Sequence, residues 1–285
     1  MSHRETNAER IITGLFVGGC YPHKNDVLRL RDNVIYSQGT PIAKFIDEWD
    51  DEQDSYVQYL IVTLQDYKSQ PSWKTHKKKL IEAALNNNLL VLFVPEFDIG
   101  FGISKVLPTR EQEIDNLLKV ASYSNDPDIK TAALIYRADY EYFGDGNYSI
   151  DNRILAYTFN QEIDGEMQHA EKILVDYAKH YEMSCPHNFS DTEYKFYSLL
   201  EPCEDCLNAM IKQLNTTCIY YYHCHKDKWN TQSYIQLCND IHNKDNKTMS
   251  ILSLYNKQPI CYDKANMSLK SKDKVEKFYN KEKSK

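Results

Sequence analysis

The residues best suited to chemistry lie in two short motifs of the C-terminal half, HAE at 169–171 and PCEDC at 202–206. His169, Cys203 and Cys206 form a donor set typical of zinc, and three protein ligands leave one position of a tetrahedral ion open, as in catalytic sites. We therefore predict one zinc ion per chain, held by these three side chains. The structural alternative is a zinc knuckle or a pair of buried cysteines, which a lone C-x-x-C motif would favour.

Glu171 follows His169 by two positions and is not needed as a ligand. A zinc ion lowers the pKa of a bound water from 15.7 to about 7. A carboxylate beside that water can take its two protons in turn and deliver one to a ring nitrogen of the substrate and the other to a leaving amino group. The combined pattern H-x-E…P-C-x-x-C is typical of sites that remove an amino group from a nucleobase. We therefore predict Glu171 as the general acid and base of a hydrolytic reaction.

The elements that must position these motifs follow from apolar periodicity and breaker residues. The run from Thr109 to Gln112 has the form of a capping box and predicts a helix over about 110–122. We predict the order α-β-β-α-β-α-β-α-β, a three-layer α/β pattern. After that first helix the predicted elements are strands at 131–136 and 153–159, a helix carrying His169 to Glu171, a strand at 194–200, a helix with Pro202 in its first turn, a strand at 218–222, a helix near 231–241 and a strand near 249–255.

The motifs resemble those of the zinc-dependent cytidine and deoxycytidylate deaminase superfamily. The run LLEPCEDC at 199–206 is similar to the T-L-E-P-C-x-x-C run of its members, and HAE at 169–171 matches its ligand-plus-glutamate motif. The resemblance covers about residues 108–257. It implies a three-layer αβα deaminase fold with a five-stranded mixed sheet. It also implies a zinc hydrolase that converts an amino-bearing base, cytosine in preference to adenine, to its keto form.

The resemblance further implies a substrate contact at Asn160, where an Asn before the metal-binding His binds sugar or base, with Ala170 as a second candidate contact. An ordinary turn Asn at the end of a strand is the alternative. The first ligand is His rather than Cys, and the 26 residues between Tyr222 and Met249 leave room for a parallel fifth strand. Both features favour the branch that resembles deoxycytidylate, tRNA adenosine and nucleic-acid-editing deaminases.

The region before the motifs has a different character. Residues 1–107 are predicted to form a separate, smaller α/β N-terminal domain, with strands at 57–64 and 89–94 and a helix near 75–85. Six acidic residues between Asp47 and Asp54 are expected to form a solvated loop or helix face, and the glycine-rich run from Gly14 to Gly19 a turn. No motif in this domain predicts a role.

Charge and composition narrow the partners. The 285 residues carry a net charge of -7, which argues against a surface that binds nucleic acid throughout. A free nucleoside or nucleotide is therefore the favoured substrate of the domain over 108–262. The tail over 263–285 is Lys-rich and is expected to be solvated and frayed, although it could bring RNA or single-stranded DNA to the site. No signal peptide or membrane span is predicted, so a cytoplasmic protein is expected, and a homo-oligomer is left open. A non-catalytic binding module that keeps zinc for structure is the alternative from another class.

Overall fold

The computed structural model describes residues 8, 10–12, 28–50, 55–65, 72–95, 107–127, 129–144, 147–184, 191–214, 216–223, 259–261 and 269–283. The chain divides into two compact units. The N-terminal unit comprises residues 1–104 and 161–168, and the C-terminal unit comprises residues 105–160 and 169–285. Among the described residues, no helix is long and apolar enough to span a bilayer.

The N-terminal unit is built mainly of strands in the order β1-β2-β3-β4-β5. The first four strands pair antiparallel in succession, and β4 and β5 pair in parallel across the connecting helix α1. A separate two-stranded sheet, β8-β9, also belongs to this unit. The elements are β1 (Leu28–Arg31), β2 (Val34–Ser37), β3 (Thr40–Asp50), β4 (Ser55–Thr63), α1 (Ser72–Asn86), β5 (Leu90–Val94), β8 (Gln161–Ile163) and β9 (Glu166–Gln168).

Three predictions for this region meet the structure differently. The predicted strands and helix at 57–64, 89–94 and 75–85 correspond to β4, β5 and α1. The acidic run was expected to be a loop or helix face, but Asp47–Asp50 completes β3. For residues 47–50 the prediction is wrong because strand pairing with β4 extends to Asp50, whereas residues 51–54 lie outside the described residues. The predicted turn at 14–19 lies outside the described residues.

The C-terminal unit holds both motifs. Its strands run in the order β7-β6-β10-β11-β12. In chain order its elements are α2 (Arg110–Ala121), β6 (Ala132–Gly144), β7 (Asn147–Phe159), α3 (Ala170–Ser184), β10 (Asp191–Leu200), α4 (Glu204–Gln213), β11 (Thr216–His223), β12 (Pro259–Cys261) and α5 (Leu269–Lys283).

The pairing of β6 determines where the site forms. Strand β6 pairs antiparallel with both β7 and β10, so β7 and β10 run in the same direction. Ala132 lies opposite Phe159 of β7, and Ala133 lies opposite Ser198 of β10. Both strands therefore end at the edge of the sheet where β6 begins, and each is followed by one of the two motifs.

The five-stranded mixed sheet that was predicted for the deaminase fold has too few strands. The described residues contain ten strands with mixed pairing, in addition to the β8-β9 pair. The N-terminal unit contains more strands than its sequence predicted. Among them are β1, β2 and β3, which are joined by short turns. Strand β12 pairs parallel with β11. The predicted strand at 249–255 and the helix at 231–241 lie outside the described residues.

Helices lie on both faces of the sheet of the C-terminal unit. On one face, the hydroxyls of Tyr136 and Tyr157 contact Glu113 and Asn116 of α2. The opposite face carries Ser198, which contacts Glu171 of α3. Apolar side chains fill the space between, and the fully buried ones include Leu134, Ile135, Leu155, Ala156, Phe159, Leu174, Phe196 and Leu199.

The predicted capping box of α2 is confirmed. The Gln112 backbone N–H donates to the Thr109 hydroxyl at 3.4 Å, and the Thr109 N–H donates to the Gln112 side chain at 2.8 Å. This reciprocal pair satisfies two backbone donors that the first turn of a helix leaves without partners. Helix α2 therefore begins where the sequence predicted.

The Lys-rich tail differs from its prediction. Residues 263–285 were expected to be frayed, but Leu269–Lys283 forms helix α5. Ser271, Val275 and Tyr279 recur every four residues on one face and are buried. The helix packs against α2, and Lys274 forms an ion pair with Asp115. The count of charges concealed this apolar stripe, which is narrow but sufficient for a helix to dock.

A buried ion cluster joins the three central strands. The Asp139 carboxylate on β6 accepts from Arg137 Nε at 2.7 Å and from the Thr192 hydroxyl at 3.0 Å. Its other oxygen lies 2.9 Å from a guanidinium nitrogen of Arg153 on β7. The side chains of Arg137 and Asp139 are 5% and 1% exposed. Removal of Asp139 would therefore leave a buried cation without its anion.

We expect Asp139→Ala to lower the free energy of unfolding by about 3 to 5 kcal/mol, the usual cost of an uncompensated buried charge. Asp151→Ala is the matched control, because the Asp151 carboxylate also pairs with Arg153 but the Asp151 side chain is 52% exposed. That change should cost no more than about 1 kcal/mol. Urea unfolding of both variants measures the difference. Equal losses would show that the cluster does not stabilise the sheet.

Candidate metal centre

The three predicted ligands lie at the N-termini of two helices. His169 immediately precedes α3, and its carbonyl accepts from the Ile173 N–H at 3.1 Å. Cys203 is the N-cap of α4, and Cys206 lies in the first turn. Pro202 was expected in that turn but precedes the N-cap, so this detail of the prediction is wrong. The N-terminal end of a helix dipole favours the thiolate form of cysteine.

The geometry of the three side chains fits a zinc ion. Nδ1 of His169 lies 3.3 Å from Sγ of Cys203 and 3.4 Å from Sγ of Cys206. All three donor atoms lie within 4.8 Å of one another. With Zn–S and Zn–N bonds of their usual lengths, tetrahedral ligands place nitrogen and sulfur about 3.6 Å apart. This arrangement is consistent with the prediction that the three residues come together. The three side chains could hold a metal ion.

The protons of the cluster are distributed unequally. The pKa of Cys203 is lowered because its sulfur accepts a hydrogen bond from the Cys206 thiol and interacts with His169. The pKa of Cys206 is raised because its proton is held by Cys203 and the side chain is buried. Interaction with Cys203 raises the pKa of His169. A divalent cation would displace the proton from the Cys206 thiol, since a metal binds the thiolate form.

Glu171 lies in the first turn of α3 and is buried, with 4% of its surface exposed. Its Oε1 accepts a hydrogen bond of 2.6 Å from the Ser198 hydroxyl. Burial raises the pKa of Glu171, and the bond from Ser198 partly offsets this. The carboxyl group also interacts with the Cys206 thiol beside it. A buried carboxyl group beside a group that could hold a metal ion is well placed to accept and return a proton.

Ser198 was not identified from the sequence. It lies on β10, faces α3 and is 1% exposed, and its hydroxyl is 3.5 Å from the Ala132 carbonyl. The available signal was a polar residue within an otherwise apolar strand end that leads into Pro202. A buried hydroxyl needs a partner, and the sequence did not show that Glu171 would be that partner.

Asn160 lies at the end of β7 and joins three segments. Its Oδ1 accepts from the Ala170 N–H at 3.0 Å, and its Nδ2 donates to Asp126 at 2.9 Å. The Ser124 hydroxyl donates to the Asn160 carbonyl at 2.9 Å. The structure therefore brings both predicted substrate contacts together, with Asn160 satisfying the first N–H of α3. Their role in substrate binding stays a prediction.

Comparison with known proteins adds little. No protein-family model matches the chain, and no curated protein is significantly similar to it. One similar solved structure is the Rib2 deaminase of Aspergillus oryzae, a C-terminal deletion mutant at pH 4.6. The two are 19% identical, the match covers 39% of this chain and 68% of that chain, and the TM-score is 0.29. A TM-score this low does not establish a shared fold.

We expect about one zinc ion per chain in protein purified without chelators, and loss of that zinc in Cys203→Ala and Cys206→Ala. Because the ion would join the first turns of α3 and α4, its loss should also lower the melting temperature. Elemental analysis and thermal unfolding measure the two effects. Wild-type protein that contains no zinc would rule out the site.

Proposed function

We propose that the chain is a zinc-dependent hydrolytic deaminase with a three-layer αβα catalytic unit. The supporting observation is the arrangement at the sheet edge. One imidazole and two thiols form a donor set there. Glu171 lies beside them and offers a buried carboxyl group that is not one of the three donors. A structural zinc site has no chemical need for this carboxyl group, whereas hydrolysis at a carbon bearing an amino group needs a group that moves protons.

The residues divide the work in the following way. His169, Cys203 and Cys206 would hold zinc, which when bound makes water a nucleophile at neutral pH. Glu171 takes one proton from the attacking water and passes it to the ring nitrogen, then takes the second proton from the hydroxyl of the resulting adduct and gives it to the departing amino group. The new carbon–oxygen bond becomes the carbonyl as the carbon–nitrogen bond breaks and ammonia leaves. Ser198 holds the Glu171 carboxylate during these transfers.

Asn160 and Ala170 are the proposed substrate contacts. Asn160 directly follows β7, and Ala170 is the first residue of α3. A hydrogen bond from the Ala170 N–H to the Asn160 side chain joins the two. The Asn160 amide retains hydrogen-bonding capacity beyond its two side-chain bonds, since an amide has two donors and two lone pairs. A sugar hydroxyl or the edge of a base can use that capacity.

We propose a cytosine nucleoside or nucleotide as the substrate, with adenine as the alternative base. The net charge of -7 disfavours a polynucleotide substrate. RNA or single-stranded DNA remains the second candidate, because α5 carries an excess of lysine. A screen of purified protein against nucleosides, nucleotides, single-stranded DNA and tRNA distinguishes them, with ammonia release and base identity measured by mass spectrometry. Wild-type protein that contains zinc and deaminates none of these would favour the non-catalytic binding module.

We expect Glu171→Gln to retain zinc and fold while losing turnover by at least the 10² to 10⁴-fold that a placed proton-transfer group contributes. Glu204→Gln is the matched control. It makes the same change of charge at a side chain that is exposed and adjacent to Cys203 in the sequence. It should retain full activity. Initial rates and metal content are measured for both. Loss of zinc in Glu171→Gln would show that Glu171 is a ligand, and full activity would show that the chemistry lies elsewhere.

A further inference from the structure

Helix α5 brings a residue of the C-terminal tail to the candidate site. Its buried face consists of Ser271, Val275 and Tyr279, with 2%, 2% and 7% of their surfaces exposed. The spacing of four residues places the three side chains in one row along the helix. The row is anchored against α2, where Lys274 pairs with Asp115. Tyr279 is the last residue of the row and the largest.

The hydroxyl end of Tyr279 lies beside the residues that form the site. The oxygen is buried, and the Thr131 side chain is next to it. Burial raises the pKa of Tyr279, Thr131 partly offsets the effect, and the Glu171 carboxylate is close enough to raise that pKa further. Helix α5 thus brings Tyr279 near Thr131 and Glu171.

Thr131 connects Tyr279 to the rest of the site. It directly precedes β6, is 5% exposed, and accepts the Asn160 backbone N–H through its carbonyl at 3.4 Å. The next residue, Ala132, has its carbonyl 3.5 Å from the Ser198 hydroxyl. A displacement at Thr131 would therefore reach Asn160, which binds the start of α3, and Ser198, which binds Glu171.

We propose that Tyr279 is a positioning residue of the active centre, which packs behind Thr131 and Glu171 and closes that side of the site to solvent. The proposal rests on the deaminase function above. The aromatic ring supplies the packing, because it is buried and its hydroxyl end lies beside Thr131, which directly precedes β6. Without it, water would gain access to a carboxyl group that the fold otherwise buries, and the first turn of α3 would lose support.

The test uses the full-length protein and three variants. Tyr279→Ala removes the ring, Tyr279→Phe retains it, and Val275→Ala removes buried volume one turn earlier on the same face. Hydrogen exchange is measured at the amides of Asn160, Ala170 and Ile173, all of which donate hydrogen bonds in the structure. This readout requires neither substrate nor turnover, and kcat and KM are measured separately on the substrate that the screen identifies.

We expect Tyr279→Ala to accelerate exchange at these amides by about tenfold or more, since local opening becomes easier. Its kcat should fall by about 10- to 100-fold with KM nearly unchanged, as for a misplaced catalytic group. Tyr279→Phe should keep the exchange rates and the kcat of the wild type. Val275→Ala should lower only the melting temperature. Unchanged exchange in Tyr279→Ala, or equal acceleration in Val275→Ala, would overturn the proposal. Absence of deamination by the wild type would instead contradict the proposed function, while the exchange result still tests Tyr279.

Discussion

The convergence of two helix N-termini at one sheet edge is the constraint on which the candidate site depends. Strand β6 pairs antiparallel with both β7 and β10, so these two strands end side by side. The first strand is followed by Asn160 and, after the β8-β9 hairpin, by α3, and the second is followed by α4. The ligand nitrogen then lies within 3.4 Å of both sulfurs, and all three donor atoms lie within 4.8 Å of one another. Helix dipoles directed at this point favour the anionic thiolates and Glu171.

A chain of polar contacts fixes the edge in place. Asn160 binds the start of α3 through Ala170 and binds Asp126 in the loop after α2. The Asp126 carboxylate in turn accepts from the Ile129 N–H at 3.0 Å. These residues are largely buried, and each buried polar group would be costly without its partner. The network therefore resists movement where a metal and a proton-transfer group must keep a fixed separation.

The sequence predicted the features that depend on local patterns. The capping box at Thr109 and the two motifs are short-range signals, since they involve residues within a few positions of one another. The β8-β9 hairpin also has a short-range signal in the sequence, the pair Asp164-Gly165. These two residues adopt positive φ values of 52° and 81° in its turn. An Asp-Gly pair is typical of this turn. We did not predict the hairpin because its strands are only three residues long.

Features that depend on distant contacts were not predictable from one sequence. The partnership of Ser198 with Glu171 requires β10 and α3 to be packed together first. The docking of α5 depends on one apolar stripe among many lysines, and a count of charges favoured a frayed tail. The described part of residues 1–107 contains more strand than predicted, because β1 and β2 have only four residues each and Asp47–Asp50 is acidic. Pairing with β4 overrode the weak strand preference of the acidic segment.

Three protein ligands should hold a zinc ion with one position left open for chemistry. X-ray absorption at the zinc edge of the purified protein measures the number and type of ligands directly. We expect two sulfurs at about 2.3 Å, one imidazole nitrogen at about 2.0 to 2.1 Å and one further light ligand from outside the protein. A shell of three or four sulfurs, or one that contains two imidazoles, would indicate a closed structural site and would contradict the account.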